Sequence, residues 1–244
     1  MSSGNNAKPL KSFTVEEWRA AQEYEFRYAQ SWMDEYVFGI LKAIKDKRFL
    51  NINGCPDYVR EFFRSDMDSF WAFMWHIYRK VSMEICSGPV GALSVWRQGT
   101  RIIVDPLVNQ YADYQKRQFG ESVFDGADTI LVARPAEEIN IDFVNQVDGC
   151  IVIRNSLDHC LNPRHVIDNI GLYARAGCAL LFWSELRHTK GADEGHRDVC
   201  ETPEEMKSWI NRAGFEIIYD TPRIIPEHLD LGIIEYGCFA RKKT

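Results

Sequence analysis

Residues able to hold a polar ligand are concentrated in the segment 81–106, V-S-M-E-I-C-S-G-P-V-G-A-L-S-V-W-R-Q-G-T-R-I-I-V-D-P. The segment reads as a strand, a turn with Gly88 and Gly91, a short helix and a second strand that ends at Asp105. A turn from a strand into a helix presents unpaired backbone N–H groups, and a carboxylate after the next strand can accept hydrogen bonds from a ribose. The spacing therefore predicts a site for a nucleotide-like ligand.

A second group of reactive side chains follows two later apolar runs, D-G-C-I-V-I and G-C-A-L-L-F. His159 comes after the first run, at the edge where open α/β sheets bind ligands, and an imidazole exchanges protons near neutral pH. The same polar stretches contain further carboxylates and imidazoles that could hold a divalent metal: Asp158, Glu185, His188, Glu194 and His196. Their spacing matches no metal-ligand motif, so the sequence predicts a polar loop without a metal.

The chain from residue 81 onward alternates short apolar runs with helical segments, which predicts a parallel sheet with right-handed crossovers. A helix containing H-V-I-D-N-I-G-L-Y-A-R is expected to end at Ala176-Gly177, and Thr202 and Gly214 are expected to bound the last helix. Two final strands are joined by a loop that contains proline. The predicted strands span 81–86, 101–105, 129–133, 149–154, 178–184, 215–219 and 232–241.

The first eighty residues differ from the rest of the chain in composition and in the spacing of their apolar residues. Residues 1–12 are polar and predict a flexible leader. The sequence T-V-E-E from Thr14 has the arrangement of a capping box, and Tyr28, Trp32 and Tyr36 then recur at the helical spacing of i, i+4. Residues 13–80 are therefore expected to form a mostly helical, aromatic-rich appendage, followed by a second domain over 81–244.

The composition narrows the class of protein. The chain has 244 residues, of which 45% are hydrophobic, and a net charge of -6, which argues against a nucleic-acid partner. Its seven cysteines are scattered without a C-x-x-C pair, which is typical of a reduced intracellular protein. No signal core or run of roughly 20 apolar residues is present, so the sequence predicts a soluble cytoplasmic protein without a membrane partner.

The glycine turn has two interpretations. As a dinucleotide fingerprint, Cys86, Gly88 and Gly91 occupy the three glycine positions, with the first glycine lost. Alternatively, Glu84, the G-P-x-G sequence from Gly88, and Asp105 resemble the first two motifs of class I S-adenosylmethionine-dependent methyltransferases.

Later motifs extend this second resemblance over about residues 75–244. Ala136-Glu137 resembles the family's third motif, and R-N-S-L-D-H-C-L-N-P over 154–163 is similar to its R-N-x-L-x-H-x-x-x-P. The strand A-G-C-A-L-L-F and the terminal E-E-M-K-S-W-I-N-R-A-G-F-E-I complete the pattern. The resemblance implies a Rossmann-like, doubly wound and mostly parallel seven-stranded sheet with an antiparallel last strand, preceded by the helical appendage.

The resemblance also implies roles for individual residues. The backbone from Cys86 to Gly88 would hold the methionine part of S-adenosylmethionine, with Glu84 orienting the turn or the amino group. Asp105 would bind the ribose hydroxyls, and Asn155 would lie near the methionine. The full set implied for cofactor binding is Glu84, Cys86, Ser87, Gly88, Asp105, Pro106, Ala136, Glu137, Asn155 and Ser156.

The acceptor site is implied at the same edge, with His159 as the catalytic base for a hydroxyl. Its candidate substrate contacts are Tyr28, Trp32, Asp158, His188 and His196. The appendage would act as a lid or a homodimer contact, with Arg27 and Arg79 as further charged contacts. Packing against the sheet explains the aromatic residues of the appendage equally well.

The implied function is methyl transfer to a small-molecule acceptor, with a hydroxyl in sugar or natural-product biosynthesis as the leading expectation. Oxygen, nitrogen and carbon acceptors all fit the same cofactor half-site. Cys86 and Val90 replace glycines common in the first motif. They favour an alternative in which the chain is a catalytically inactive subunit that binds a partner protein. A nicotinamide-dependent dehydrogenase is a third interpretation, which the later motifs fit less well.

Overall fold

A computed structural model describes residues 13–45, 76, 79–93, 99–190, 196–220 and 231–244. Several sequence predictions lie outside these ranges. They are the leader over 1–12, the part of the helical appendage over 46–75 and 77–78, most of the short helix after the glycine turn, Glu194, and the loop over 221–230.

The N-terminal helix α1 spans Val15–Lys45 without interruption. The Thr14 hydroxyl accepts a hydrogen bond from the Glu17 N–H at 3.2 Å, and the Glu17 carboxylate accepts one from the Thr14 N–H at 2.8 Å. These reciprocal bonds satisfy two of the N–H groups left free at a helix start. The predicted capping box is confirmed.

The buried face of α1 differs from the predicted aromatic face by one residue, which rotates it by about 100°. Tyr28 and Tyr36 are 61% and 45% exposed, and Trp32 is half-buried at the boundary. Packing therefore does not explain the two tyrosines, and that interpretation is wrong for them. Non-aromatic apolar side chains form the packed face instead: Ala29, Met33, Val37 and Leu41.

Seven strands form one sheet in the order β3-β2-β1-β4-β5-β7-β6. The first five strands pair in parallel, and β7 runs antiparallel to both of its neighbours. The predicted fold class is confirmed. The strands are β1 (Ser82–Ile85), β2 (Arg101–Val104), β3 (Thr129–Val132), β4 (Cys150–Arg154), β5 (Ala179–His188), β6 (Phe215–Asp220) and β7 (Ile233–Lys242).

Strand β5 continues beyond Ser184, where the sequence predicts its end. The polar stretch S-E-L-R-H lacks the apolar run of a buried strand, but β7 supplies it with hydrogen-bond partners as far as His188. The pairing shifts register between Glu185 and Arg187, as at a β-bulge. The extra length places polar side chains beyond the edge of the other parallel strands.

In the part of the chain that the structure describes, three further α-helices cover the sheet: α2 (Val108–Phe119), α3 (Pro163–Tyr173) and α4 (Pro203–Arg212). Helix α4 begins and ends as predicted, since the Thr202 hydroxyl accepts the Glu205 N–H and Gly214 takes φ +88°. Helix α3 ends at Tyr173, so the predicted end at Ala176-Gly177 is wrong. The chain leaves the helix there because the backbone around Ala174 pairs with Val147, and Gly177 instead forms the turn into β5.

The strands alternate their side chains between two apolar layers. On one face, Met83, Ile102, Ile151 and Leu180 pack with residues of α3 and α4. On the other face, Ile103, Val152 and Leu181 pack with residues of α1 and α2. Within the described residues, no helix combines the length and apolar content needed to cross a membrane.

Candidate functional site

A cleft of about 730 Å³ opens at the carboxyl ends of the parallel strands. Its walls are the turn after β1, the residues that follow β2, β3 and β4, and the inner side of α1. This is the edge where open α/β sheets bind ligands, and the volume lies in the usual range for small-molecule pockets.

Glu84 lies in β1 and is 2% exposed. One carboxylate oxygen accepts the Ala92 N–H at 2.5 Å and the other accepts the Leu93 N–H at 2.8 Å. Burial raises the pKa of Glu84 to about 7, although these two N–H donors favour the charged form. The side chain therefore braces the turn after β1. Of the two roles implied by the sequence, its contacts support orientation of the loop.

Asp105 follows β2 directly and connects two walls of the cleft. Its Oδ2 accepts the Gly88 N–H at 3.0 Å, and its Oδ1 accepts the Leu107 N–H at 2.7 Å. Burial raises its pKa to about 6, because the two hydrogen bonds only partly offset the loss of water. Each carboxylate oxygen retains a second lone pair, so Asp105 can still accept hydrogen bonds from a ligand in the cleft.

The glycine turn needs left-handed backbone at two positions. Gly88 has φ +61°, and a Cβ there would meet nothing within 4 Å, so the turn borders open space. Gly91 has φ +65°, and a Cβ there would lie 3.0 Å from the Glu84 carboxylate. The Gln115 side chain holds the turn from α2 by donating to the Pro89 carbonyl at 2.6 Å. The sequence interpretation did not identify Gln115, because an amide inside a helix gives no motif.

Cys86 also has left-handed backbone, with φ +53°. A side chain in this conformation costs about 1–2 kcal/mol relative to glycine, which explains why a glycine suits this position. Its Sγ lies 3.5 Å from the Sγ of Cys160, and both thiols line the cleft.

The segment after β3 brings Ala136 and Glu137 to the cleft. The Glu137 carboxylate accepts the Asn162 N–H at 2.9 Å, and Asn169 donates to the carbonyls of Ala136 and Glu137. These bonds tie the segment to α3. Glu137 therefore has a structural hydrogen bond in addition to its place on the wall.

The loop after β4 carries two polar residues into the cleft. Asn155 has φ +44°, and its side chain exchanges hydrogen bonds of 3.3 Å with Glu185. The Ser156 hydroxyl is buried and has no hydrogen-bond partner among the described residues. A buried hydroxyl without a partner is costly in a folded protein, so it is a candidate contact for a bound ligand.

His159 ends the 3-10 turn Leu157–His159 and lines the cleft. The Trp18 indole N–H donates to the His159 carbonyl at 3.0 Å, which fixes this loop to α1. Trp18 belongs to a stripe at helical spacing along the cleft side of α1, with Gln22, Glu25, Ala29 and Trp32. The sequence interpretation does not identify this stripe because its members differ in chemistry. Their helical spacing is the signal that could have revealed it.

Four of the side chains that the sequence groups as possible metal ligands lie together next to the cleft: Asp158, Glu185, His188 and His196. Asp158 is 0% exposed, with one oxygen 3.6 Å from His196 Nε2 and the other 4.0 Å from His159 Nε2. His188 Nε2 lies 2.7 Å from the Glu185 carboxylate. Burial lowers the pKa of His188, but the hydrogen bond to Glu185 and the negative charges of Glu185 and two aspartates raise it by more. The pKa of His188 is therefore raised overall. Glu185 lines the cleft and links the group to it.

The sequence matches no protein-family model and no curated protein. Solved structures share its fold. The N-methyltransferase NodS from Bradyrhizobium japonicum WM9, in complex with S-adenosyl-L-homocysteine, is 13% identical with a TM-score of 0.56 and covers 93% of this chain and 99% of its own. This is the fold of the class I methyltransferases.

Two other structures show the range of this methyltransferase fold. The 1,6-didemethyltoxoflavin-N1-methyltransferase of Burkholderia thailandensis is 14% identical, with a TM-score of 0.54 and coverage of 96% of this chain and 92% of its own. The [4+2]-cyclase SpnF is 15% identical, with a TM-score of 0.50 and coverage of 71% and 79%. Since a cyclase has the same fold, the reaction of this chain must be argued from its own site.

Most residues implied by the sequence lie on the wall of the methyltransferase-like cleft. They are Tyr28, Trp32, Glu84, Cys86, Ser87, Gly88, Asp105, Pro106, Ala136, Glu137, Asn155, Ser156 and His159. Asp158, His188 and His196 lie behind this wall. Arg27 and Arg79 are not among the described residues that line the cleft.

Proposed function

We propose that this chain is an enzyme that transfers a methyl group from S-adenosylmethionine to a small-molecule acceptor. The observation that carries the proposal is the hydrogen bond from the Gly88 N–H to Asp105. It joins the turn after β1 to the acid after β2, at the mouth of a cleft in a class I methyltransferase fold. A ribose and the methionine part of one cofactor can occupy these two neighbouring elements.

Two features of the site fit this cofactor. The space beside Gly88 is open, so the ligand can approach the backbone of the turn closely. The buried Ser156 hydroxyl has no partner among the described residues and is available for a polar group. Asp105 would hold the ribose hydroxyls, residues 86–88 and 155–156 the methionine part, and Ala136 would border the adenine.

The cofactor, when bound, supplies a methyl group on an activated sulfonium. The protein then has to orient the acceptor and exclude water from it. Trp32 and Tyr28 on α1 provide an apolar wall opposite the sheet edge, and His159 lies between α1 and the loop after β4. We assign His159 as the base that accepts a hydroxyl proton from the acceptor.

We propose a hydroxyl acceptor, such as a sugar or a natural product, rather than an amine. A hydroxyl must lose a proton during transfer, and the imidazole of His159 borders the cleft. A neutral amine is already nucleophilic and needs less help from a base.

Cofactor binding is tested by calorimetric titration with S-adenosylhomocysteine. Asp105→Asn keeps the shape of the side chain but loses charge-assisted hydrogen bonds, so we expect affinity to fall about 10- to 100-fold. The matched control is Asp113→Asn, which removes the same charge from an exposed position on α2. Equal affinities in Asp105→Asn and the control would contradict the assignment.

The role of His159 is tested by S-adenosylhomocysteine formation with a panel of sugars, phenols and amines. With an accepted hydroxyl compound, His159→Gln is expected to lower kcat by about 10²- to 10⁴-fold. Its affinity for S-adenosylhomocysteine should not change. A rate that falls only because cofactor binding fails would contradict the assignment, and turnover of amines alone would contradict the hydroxyl acceptor.

A second candidate function is a non-catalytic subunit that binds a partner protein. It is favoured by Cys86, whose side chain occupies the wall of the cleft in a left-handed conformation. Absence of S-adenosylhomocysteine binding, together with a stoichiometric partner in a pull-down, would support this candidate over the enzyme.

A further inference from the structure

The cluster of Asp158, Glu185, His188 and His196 contains two carboxylates and two imidazoles. Asp158 is fully buried, and neither of its carboxylate oxygens has a hydrogen-bond partner among the described residues. The nearby Arg197 donates instead to the main-chain carbonyls of Leu161 and Asp198. A buried carboxylate without hydrogen bonds is strongly disfavoured unless a cation compensates it.

The irregularity in β5 brings two more donor side chains to Asp158. Side chains three positions apart in a regular strand point to opposite faces. The register shift between Glu185 and Arg187 lets Glu185 and His188 face each other at 2.7 Å. Bulges of this kind are common beside active sites, where they redirect a side chain.

We infer that Asp158, Glu185 and His188 bind one first-row divalent metal ion. One ligand atom from each residue lies within 4.8 Å of the other two, about twice the metal–ligand distances of roughly 2.0–2.2 Å found for zinc. Two carboxylates and a neutral imidazole balance the charge of the ion. The nitrogen donor favours an ion such as Zn²⁺ over Mg²⁺, which prefers oxygen ligands alone.

The position of the site indicates what the ion would contact. Glu185 lines the cleft, whereas Asp158 and His188 do not, so an ion held by the three side chains would be reached from the cleft on the Glu185 side. An acceptor hydroxyl bound there would lose its proton more readily, since a metal ion stabilises the oxyanion. This role rests on the proposed function and selects acceptors that present a metal-binding oxygen, such as a vicinal diol. Metal binding itself does not depend on it.

The site is tested on the full chain after dialysis against a chelator, with Zn²⁺ titrated by calorimetry and Co²⁺ followed by its visible absorption. We expect one ion per chain. Affinity should fall at least tenfold in His188→Gln and Glu185→Gln. The matched controls are His165→Gln and Glu138→Gln, at exposed positions, which should bind as the unmodified chain does.

Thermal unfolding supplies a second readout. Saturating Zn²⁺ should raise the Tm of the unmodified chain and of the controls, but not that of His188→Gln. Asp158→Asn removes a buried charge, so without metal it should unfold at the same or a higher temperature while losing Zn²⁺ binding.

Four results would overturn the site. The first three are no binding of Zn²⁺ or Co²⁺, unchanged affinity in His188→Gln and Glu185→Gln, and equal affinity for Mg²⁺. Loss of affinity in His159→Gln and His196→Gln, but not in His188→Gln, would also overturn it, because those imidazoles form a different group with Asp158. Titration with S-adenosylhomocysteine in metal-free buffer separates failure of this site from failure of the proposed function.

Discussion

The proposed contact between Asp105 and the ribose predicts how the affinity for the cofactor depends on pH. Burial raises the pKa of its carboxyl to about 6, above the ordinary value of 3.8. In the proposed site, the ionised group would accept ribose hydrogen bonds above that pH, and the protonated group would lose this capacity below it. Affinity for S-adenosylhomocysteine should therefore be about tenfold weaker at pH 5 than at pH 7.

The control for this pH dependence is Asp105→Asn, measured over the same range. Glu84, whose pKa is raised to about 7, is present in both proteins, so their difference isolates Asp105. The variant should show no step near pH 6. An equal step in both proteins would assign the titration to another group.

Cys86 allows a direct measurement of backbone strain. Cys86→Gly and Cys86→Ala both delete the thiol, but only glycine adopts φ +53° without steric cost. We expect the glycine variant to have a free energy of unfolding about 1 kcal/mol higher than the alanine variant. Urea unfolding measures the difference. An alanine variant as stable as the glycine variant would show that this backbone is not strained.

At the scale of elements, α1 and the loop after β4 are joined by the bond from Trp18 to the His159 carbonyl. Trp18→Phe keeps an aromatic ring but removes the donor, so unfolding should become easier by about 1 kcal/mol. Because His159 loses its anchor, kcat should also fall while affinity for S-adenosylhomocysteine changes little. Tyr24→Phe, at an exposed position of the same helix that does not line the cleft, is the control for both measurements. An unchanged kcat in Trp18→Phe would show that the bond does not position His159.

The elements that the sequence predicts correctly are those with local causes. The capping box at Thr14 and the Thr202 cap are decided by residues within one helical turn. The ends of α3 and β5 were misplaced because distant segments decide them, Val147 in one case and β7 in the other. The same holds for the face of α1, which packs on residues of α2 and of the strands that are distant in the sequence.

At the scale of the whole molecule, the order of strands explains why widely separated motifs meet. The carboxyl ends of β1, β2 and β4 lie side by side, so Gly88, Asp105 and Asn155 come to one edge. This convergence follows from a parallel sheet and was readable from the sequence. The sequence groups Asp158, Glu185 and His188 as possible metal ligands, but it does not predict their close approach, which depends on an irregularity in β5.

We propose that the cleft holds S-adenosylmethionine with its ribose at Asp105. A crystal structure with S-adenosylhomocysteine bound is the decisive experiment. We predict the Asp105 carboxylate on the ribose hydroxyls, the methionine part along residues 86–88, and free space beyond the sulfur bordered by His159 and Glu185. Cofactor bound elsewhere, or a ribose that does not contact Asp105, would contradict the account.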